Sequence, residues 1–235
     1  MQTLTDLGDD QANDSFADAN AAFVHALQTF AKQHAAESRT CNYDATQEKY
    51  AFNAPVSADG KLRAYSWDTM TGGTMRYYFS LLQYQDGNGN THIVEANADA
   101  ATDETWGDGN SGLVDDIFTA DLGEHGTAYF LIEYFQGDSR NKGYSATLYR
   151  VNGNKPEELP WIIEDGKDST STGFAFDNLQ DPLPQEYTFM RYDAASNTLS
   201  FPQTLPGNEE LNAIMTDQRV AYRFDGKRFV ATENP

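Results

Sequence analysis

Two short stretches set an indole beside a carboxylate, Trp67-Asp68 and Trp106-Gly107-Asp108. A flat apolar ring next to hydrogen-bond acceptors is the equipment of a sugar-binding cleft. Trp67, Asp68, Trp106 and Asp108 are therefore the candidate binding residues. The competing reading is a pair of core tryptophans flanked by turn carboxylates, the commoner fate of large aromatics. Glycoside hydrolysis needs two carboxyl groups about 5–10 Å apart across a sugar. Neighbours such as Asp115/Asp116 and Glu157/Glu158 are expected to point to opposite faces of an extended chain, so they make poor acid–base couples. No residue is assigned a catalytic role.

Metal chemistry has one weak candidate. Asp86, Asn88 and Asn90 alternate oxygen side chains like the start of a calcium loop. The glycine at the sixth place and the bidentate glutamate at the twelfth are missing, and the same residues suit a hairpin turn. A second oxygen-rich loop, Asp103 to Asp116, carries the same argument and the same objection. His25, His34, His92 and His125 form no H-x-x-x-H pair, and the single Cys41 forms no C-x-x-C. The expectation is no cofactor, with calcium as the exception to test.

Nucleophiles fare no better. Ser145 in Gly143-Tyr144-Ser145-Ala146-Thr147 lacks the second glycine and the following helix of a nucleophile elbow. Cys41 with His34 would make a thiol–imidazole pair with no third group to orient it. Gly72-Gly73 sits in no phosphate-loop motif.

Charge narrows the partners. Against 36 acidic residues stand 16 basic ones, a formal charge of −20 over 235 residues. Such a surface repels nucleic-acid phosphates and anionic lipid heads, and it attracts cationic proteins. The plainer reading is that the acidity keeps the protein soluble. Residues 1–20 carry neither a basic start nor an apolar run. They look like the freed start of a processed protein, with Met1 standing where a removed signal ended, so a periplasmic or extracellular setting is expected.

The elements that must carry these residues are mostly strands. Residues 1–13 read as a flexible tail, and 14–235 as a single mostly-β domain opening with a helix over 15–36. Ser15 and Asp18 suit a capping box, and Phe16, Ala19, Phe23, Leu27 and Phe30 form an apolar stripe on a helical period. Beyond Cys41, short aromatic and β-branched runs alternate with Gly/Asn/Asp turns. Strands are expected over 62–67, 75–85, 91–96, 113–122, 127–135, 144–151, 159–164, 174–176, 187–192, 198–201, 219–224 and 228–231. Polar loops are expected over 97–112 and 165–173, and a short helix or turn over 207–217. The fold class is mainly β, an antiparallel hairpin meander in the form of a sandwich, open barrel or propeller-like array, with one N-terminal amphipathic helix.

Stretches such as Asp59 to Asp68 and Tyr222 to Val230 have the general look of secreted bacterial β-hairpin proteins, with no named family and no activity implied. The expected function is that of a non-catalytic secreted or bacterial envelope protein acting by binding, with a basic protein as partner. The alternatives are a carbohydrate-binding or carbohydrate-hydrolysing protein, and a structural or adhesin-like β module.

Overall fold

The computed structural model describes residues 9–40, 52–96, 112–152, 155–180, 190–208 and 210–232. Trp106, Asp108, Cys41 and Met1 lie outside the described residues. The chain is mainly β with antiparallel sheets and an N-terminal helix; it is sandwich-like, with no closed barrel.

The helix, α1, spans Asp9–Gln33 and so begins upstream of Ser15; a second short helix, α2, covers Ala35–Thr40. Lys32 lies in the last turn of α1, where positive charge complements the helix dipole. Its buried face is Asn20, Val24 and Ala31, rotated from the expected stripe. Phe23 and Phe30 are instead 40% and 47% exposed. Asn20 fixes this rotation. Its amide donates to the Phe16 and Thr69 carbonyls, each at 2.8 Å, and its Oδ1 accepts the Trp67 indole N–H at 2.8 Å. Phe23 meets the rim of Trp67 edge-on at 4.9 Å.

Three sheets stack beneath α1. The first has the order β1–β2–β3–β4, from Phe52–Asn53, Leu62–Asp68, Tyr78–Gln85 and Thr91–Glu95. The second has the order β11–β7–β6–β5, from Ser171–Asp177, Asn141–Asn152, Thr127–Gln136 and Leu113–Asp121. Strand β8 (Lys155–Glu158) pairs with β7 beside it. The third has the order β10–β9–β15–β14–β13–β12, from Lys167–Ser169, Ile162–Glu164, Phe229–Ala231, Ala213–Phe224, Thr198–Pro206 and Arg191–Asp193. Its one parallel contact is Phe229 with Ile162.

Burial follows from the stacking. Leu62 to Trp67 and Ala128 to Ile132 are buried at every step, because both faces of their sheets are covered. Tyr65, Trp67 and Leu81 pack on Val24 of the helix. Leu62, Ala64 and Tyr84 pack on Val114, Leu131 and Tyr149 of the second sheet. Phe130, Leu148 and Phe174 pack on Leu199, Tyr222 and Phe229 of the third. In the third sheet Leu199 and Phe201 turn toward the second sheet and are buried, while Ser200 between them is half-buried.

Two segments depart from the sequence reading. Within the expected loop 165–173, Asp165 and Gly166 take φ of 48° and 76° and close the β9–β10 hairpin, which Lys167–Ser169 completes. Within 207–217, residues from Ala213 onward are strand, paired with Pro206 and Leu205 across the sheet.

Asp177 clips the end of β11 to the chain entering β14. It is fully buried and accepts from Arg140 Nε at 3.1 Å and Nη2 at 2.5 Å, and from the Leu179 and Asn212 amides at 2.9 Å each. The Arg140 guanidinium, helped by the two amides, holds its carboxyl down at about 2. A depressed carboxyl stabilises the fold above its ordinary range, and that contribution is lost as pH falls through about 2. Asp177→Asn is therefore expected to unfold at lower urea than wild type at neutral pH, with the gap narrowing below about pH 4; urea titrations across that range check this. Asn20→Ala should cost about 1–3 kcal/mol, the penalty for leaving the indole N–H and the Thr69 carbonyl unpaired in the interior, measurable by the same titration.

Candidate functional site

Strand β5 is an edge of the second sheet, and its burial does not alternate by two. Val114, Ile117 and Ala120 are buried, while Asp115 and Asp116 between them are exposed. The register against β6 shifts between Val114 and Asp116, a bulge that inserts one residue. Val114 and Ile117 can then both enter the layer shared with the first sheet. Asp115 reaches Asn53 of the first sheet, while Asp116 lines the cleft beside the third. The Asp115 carboxyl is pushed up by desolvation first and by the Asp116 charge second.

Among the described residues no cation relieves this crowding. Asp116 Oδ1 accepts its own neighbour's amide, Ile117 N, at 2.7 Å, and Asp121 Oδ1 accepts Gly123 N at 3.1 Å. Asp115 takes the Asn53 amide, at 3.0 Å on its carbonyl and 3.5 Å on Oδ1. Among the described residues no ion pair reaches Asp115, Asp116, Asp121 or Glu124. The chain has no Lys or Arg between Arg76 and Arg140, a span that holds twelve Asp and Glu. The acidic edge is thus uncompensated in sequence as well as in space.

Beside this edge lies a cleft of about 870 Å³, where Asp116 and Phe118 of β5 face β12, β13 and β14. Phe118 and Tyr192 lie parallel with ring centroids 6.2 Å apart. Burial, then the Asp121 and Asp193 charges, push the Tyr192 hydroxyl up to about 12. Arg191, Asp193 and Arg223 supply charge of both signs, and Ser196, Thr198 and Ser200 supply hydroxyls. Asp193 is held by Ser196 Oγ at 2.6 Å and Ala195 N at 3.0 Å, which lower its carboxyl below the usual range. The cleft went unseen in the sequence because β5 is far along the chain from the consecutive strands β12, β13 and β14.

The residues singled out from the sequence lie elsewhere. Trp67 is 6% exposed and enclosed by α1 and Phe79, so neither ring face is open for a sugar to stack on. Asp68 pairs with Arg76 at 3.3 Å and accepts Met70 N at 2.8 Å. In the calcium candidate, Asp86 Oδ1 accepts the Asn88 and Asn90 amides at 2.8 and 2.9 Å. Its Oδ2 meets Asn90 Nδ2 at 3.1 Å and His92 Nε2 at 2.9 Å. His92 foremost, with Asn90, holds that carboxyl well below the usual range. Its oxygens already serve the hairpin. Among the described residues no three His, Cys, Asp or Glu converge as a metal group. His34 is exposed and lies against Phe30, and His125 packs on Trp161 and meets the Gly226 carbonyl at 3.0 Å.

One titratable group escaped the sequence reading. Glu133, half-buried on β6, sits so close to Gly112 that a Cβ there would lie 2.7 Å from its own. Burial, then the Glu158 charge, push its carboxyl up to about 7; Glu158 in turn accepts the Tyr149 hydroxyl at 3.1 Å. The sequence carries a faint signal, a lone Glu inside the apolar run Tyr129 to Phe135. A raised carboxyl favours folding in its neutral form, so stability falls as pH rises from its ordinary value of 4.5 through about 7. Glu133→Gln should match wild type below that window and exceed it by about 1–2 kcal/mol above it, read from urea titrations at the two extremes.

Comparison with protein families, with curated proteins and with solved structures finds no match to this chain.

Proposed function

We propose that this chain is a non-catalytic secreted or envelope protein that acts by binding a cationic protein, which docks on the acidic edge formed by β5. The observation that carries the reading is the bulge at Val114/Asp116, which leaves two adjacent exposed carboxylates on an edge strand with no ion-pair partner among the described residues. Two like charges about 4 Å apart cost about 1 kcal/mol even in water. A lysine or arginine arriving from outside turns that repulsion into attraction. The long-range field of a chain at −20 would speed the encounter with such a partner.

Affinity capture from the cells that make the protein, at low and at high ionic strength, tests this. A basic protein retained at low salt should be released at high salt. It should also be lost when Asp115, Asp116 and Asp121 are all changed to Asn. Recovery of nothing, or of a partner indifferent to salt and to the triple substitution, would sink the proposal. Fractionation of the same cells checks the extracytoplasmic part of it: the protein is expected outside the cytoplasmic fraction.

A further inference from the structure

We infer that two copies of this chain pair through α1, antiparallel, along a seam of Phe16, Ala19, Phe23, Ala26, Phe30 and Gln33. This goes beyond the cationic-partner reading and uses a different face of the molecule. Phe16, Phe23 and Phe30 fall seven apart in the helix, with Ala19, Ala26 and Gln33 between them. That is the spacing by which one helix packs along another. The seam is also open: from Ala19 to Gln33 every member is exposed, and Phe16 is half-buried. The fold cannot turn it inward. Asn20 locks the helix rotation through Thr69 and Trp67, which commits Val24 and Ala31 to the interior. Phe23 meets Phe52 and Trp67 edge-on and Phe30 lies beside His34, so both rings keep accessible surface.

The seam selects a second copy as its occupant. Laid antiparallel with Phe23 of one copy opposite Ala26 of the other, it also sets Ala19 opposite Phe30 and Phe16 opposite Gln33. Each ring then meets a small or flexible residue, and the two-fold axis repeats the match. A parallel pair would set ring against ring and alanine against alanine. Charge chooses the same direction. Ahead of Phe23 the helix sequence holds Asp9, Asp10, Asp14 and Asp18 and no base; after it comes Lys32 and no acid. Antiparallel pairing keeps the two aspartate-rich halves apart. The contact is one helix long, at the small end of specific interfaces, so the dimer is weak and concentration-dependent.

Sedimentation equilibrium of the full chain, from about 1 μM to about 500 μM, tests this. A monomer–dimer equilibrium is expected, shifted toward dimer as salt rises, because two bodies at −20 each repel at low ionic strength. A cationic partner responds to salt in the opposite sense, so the two readings fail separately. Ala26→Glu, at an exposed helical position, should weaken the dimer about tenfold or more by setting a charge against Phe23 of the other copy. His25→Glu adds the same charge beside the seam and should change it by less than about twofold. Spin labels on Lys32→Cys, with Cys41→Ser removing the native thiol, should lie about 25 Å apart in the dimer, whereas parallel helices would bring them to about 10 Å. A chain that stays monomeric throughout, a dimer that the two glutamates weaken alike or not at all, or the short label distance would overturn the inference.

Discussion

Burial of both faces of the β5–β6–β7–β11 sheet is the constraint from which the rest of the architecture follows. Successive residues of a strand point to opposite sides. Phe130, Leu131 and Ile132 are all essentially inaccessible, so they feed two different interiors in turn. Each such side chain contributes about 1.5–3 kcal/mol on leaving water. A slip of one residue would exchange the two interiors and mismatch every ring. The first sheet, with its helix, and the third sheet are the covers this arrangement requires. The bulge in β5 is a local consequence, because it lets Val114 and Ile117 enter the same layer.

The acidic composition divides into two populations with different physical roles. Many aspartates are consumed by their own turns. Asp86, Asp138, Asp193 and Asp225 each accept backbone amides two to four residues on. Each carboxyl is depressed, chiefly by His92 for Asp86, by Ser196 for Asp193, and by the backbone amides for Asp138 and Asp225. These are turn chemistry, and their charge is incidental to it. In β5, Asp121 serves its turn in the same way through the Gly123 amide, whereas Asp115 accepts no such amide among the described residues and shifts in the opposite direction. Net charge alone does not separate the two groups; the hydrogen bonds do.

Much of the fold was legible because its signals are local. The hairpin after Gln85 and the final Asp225-Gly226 hairpin rest on residues that accept unusual backbone angles, and the apolar runs announced their strands. The β9–β10 hairpin was missed although Asp165-Gly166 is a turn signal, because Lys167-Asp168-Ser169 offers no apolar residue to mark a strand. The rotation of α1 was also hidden. It depends on one asparagine meeting Trp67 and Thr69 across a sheet, which periodicity cannot reveal. The site was the least legible part. An indole beside a carboxylate looks alike whether the ring lies in a cleft or, like Trp67, under a helix. The bulge and the Glu133 environment both arise from contacts between distant segments.

Strand β15 lies between β9 and β14, so the third layer is joined only when Phe229–Ala231 pairs with two strands that are far apart along the chain. Phe229 belongs to the interior between the second and third sheets. Until β15 is seated, the side chains of β6 and β7 that face that layer, Phe130 and Leu148 among them, lack part of their cover. A partly folded chain with the first two sheets assembled and β15 unpaired therefore offers apolar surface on which chaperones or aggregation can act.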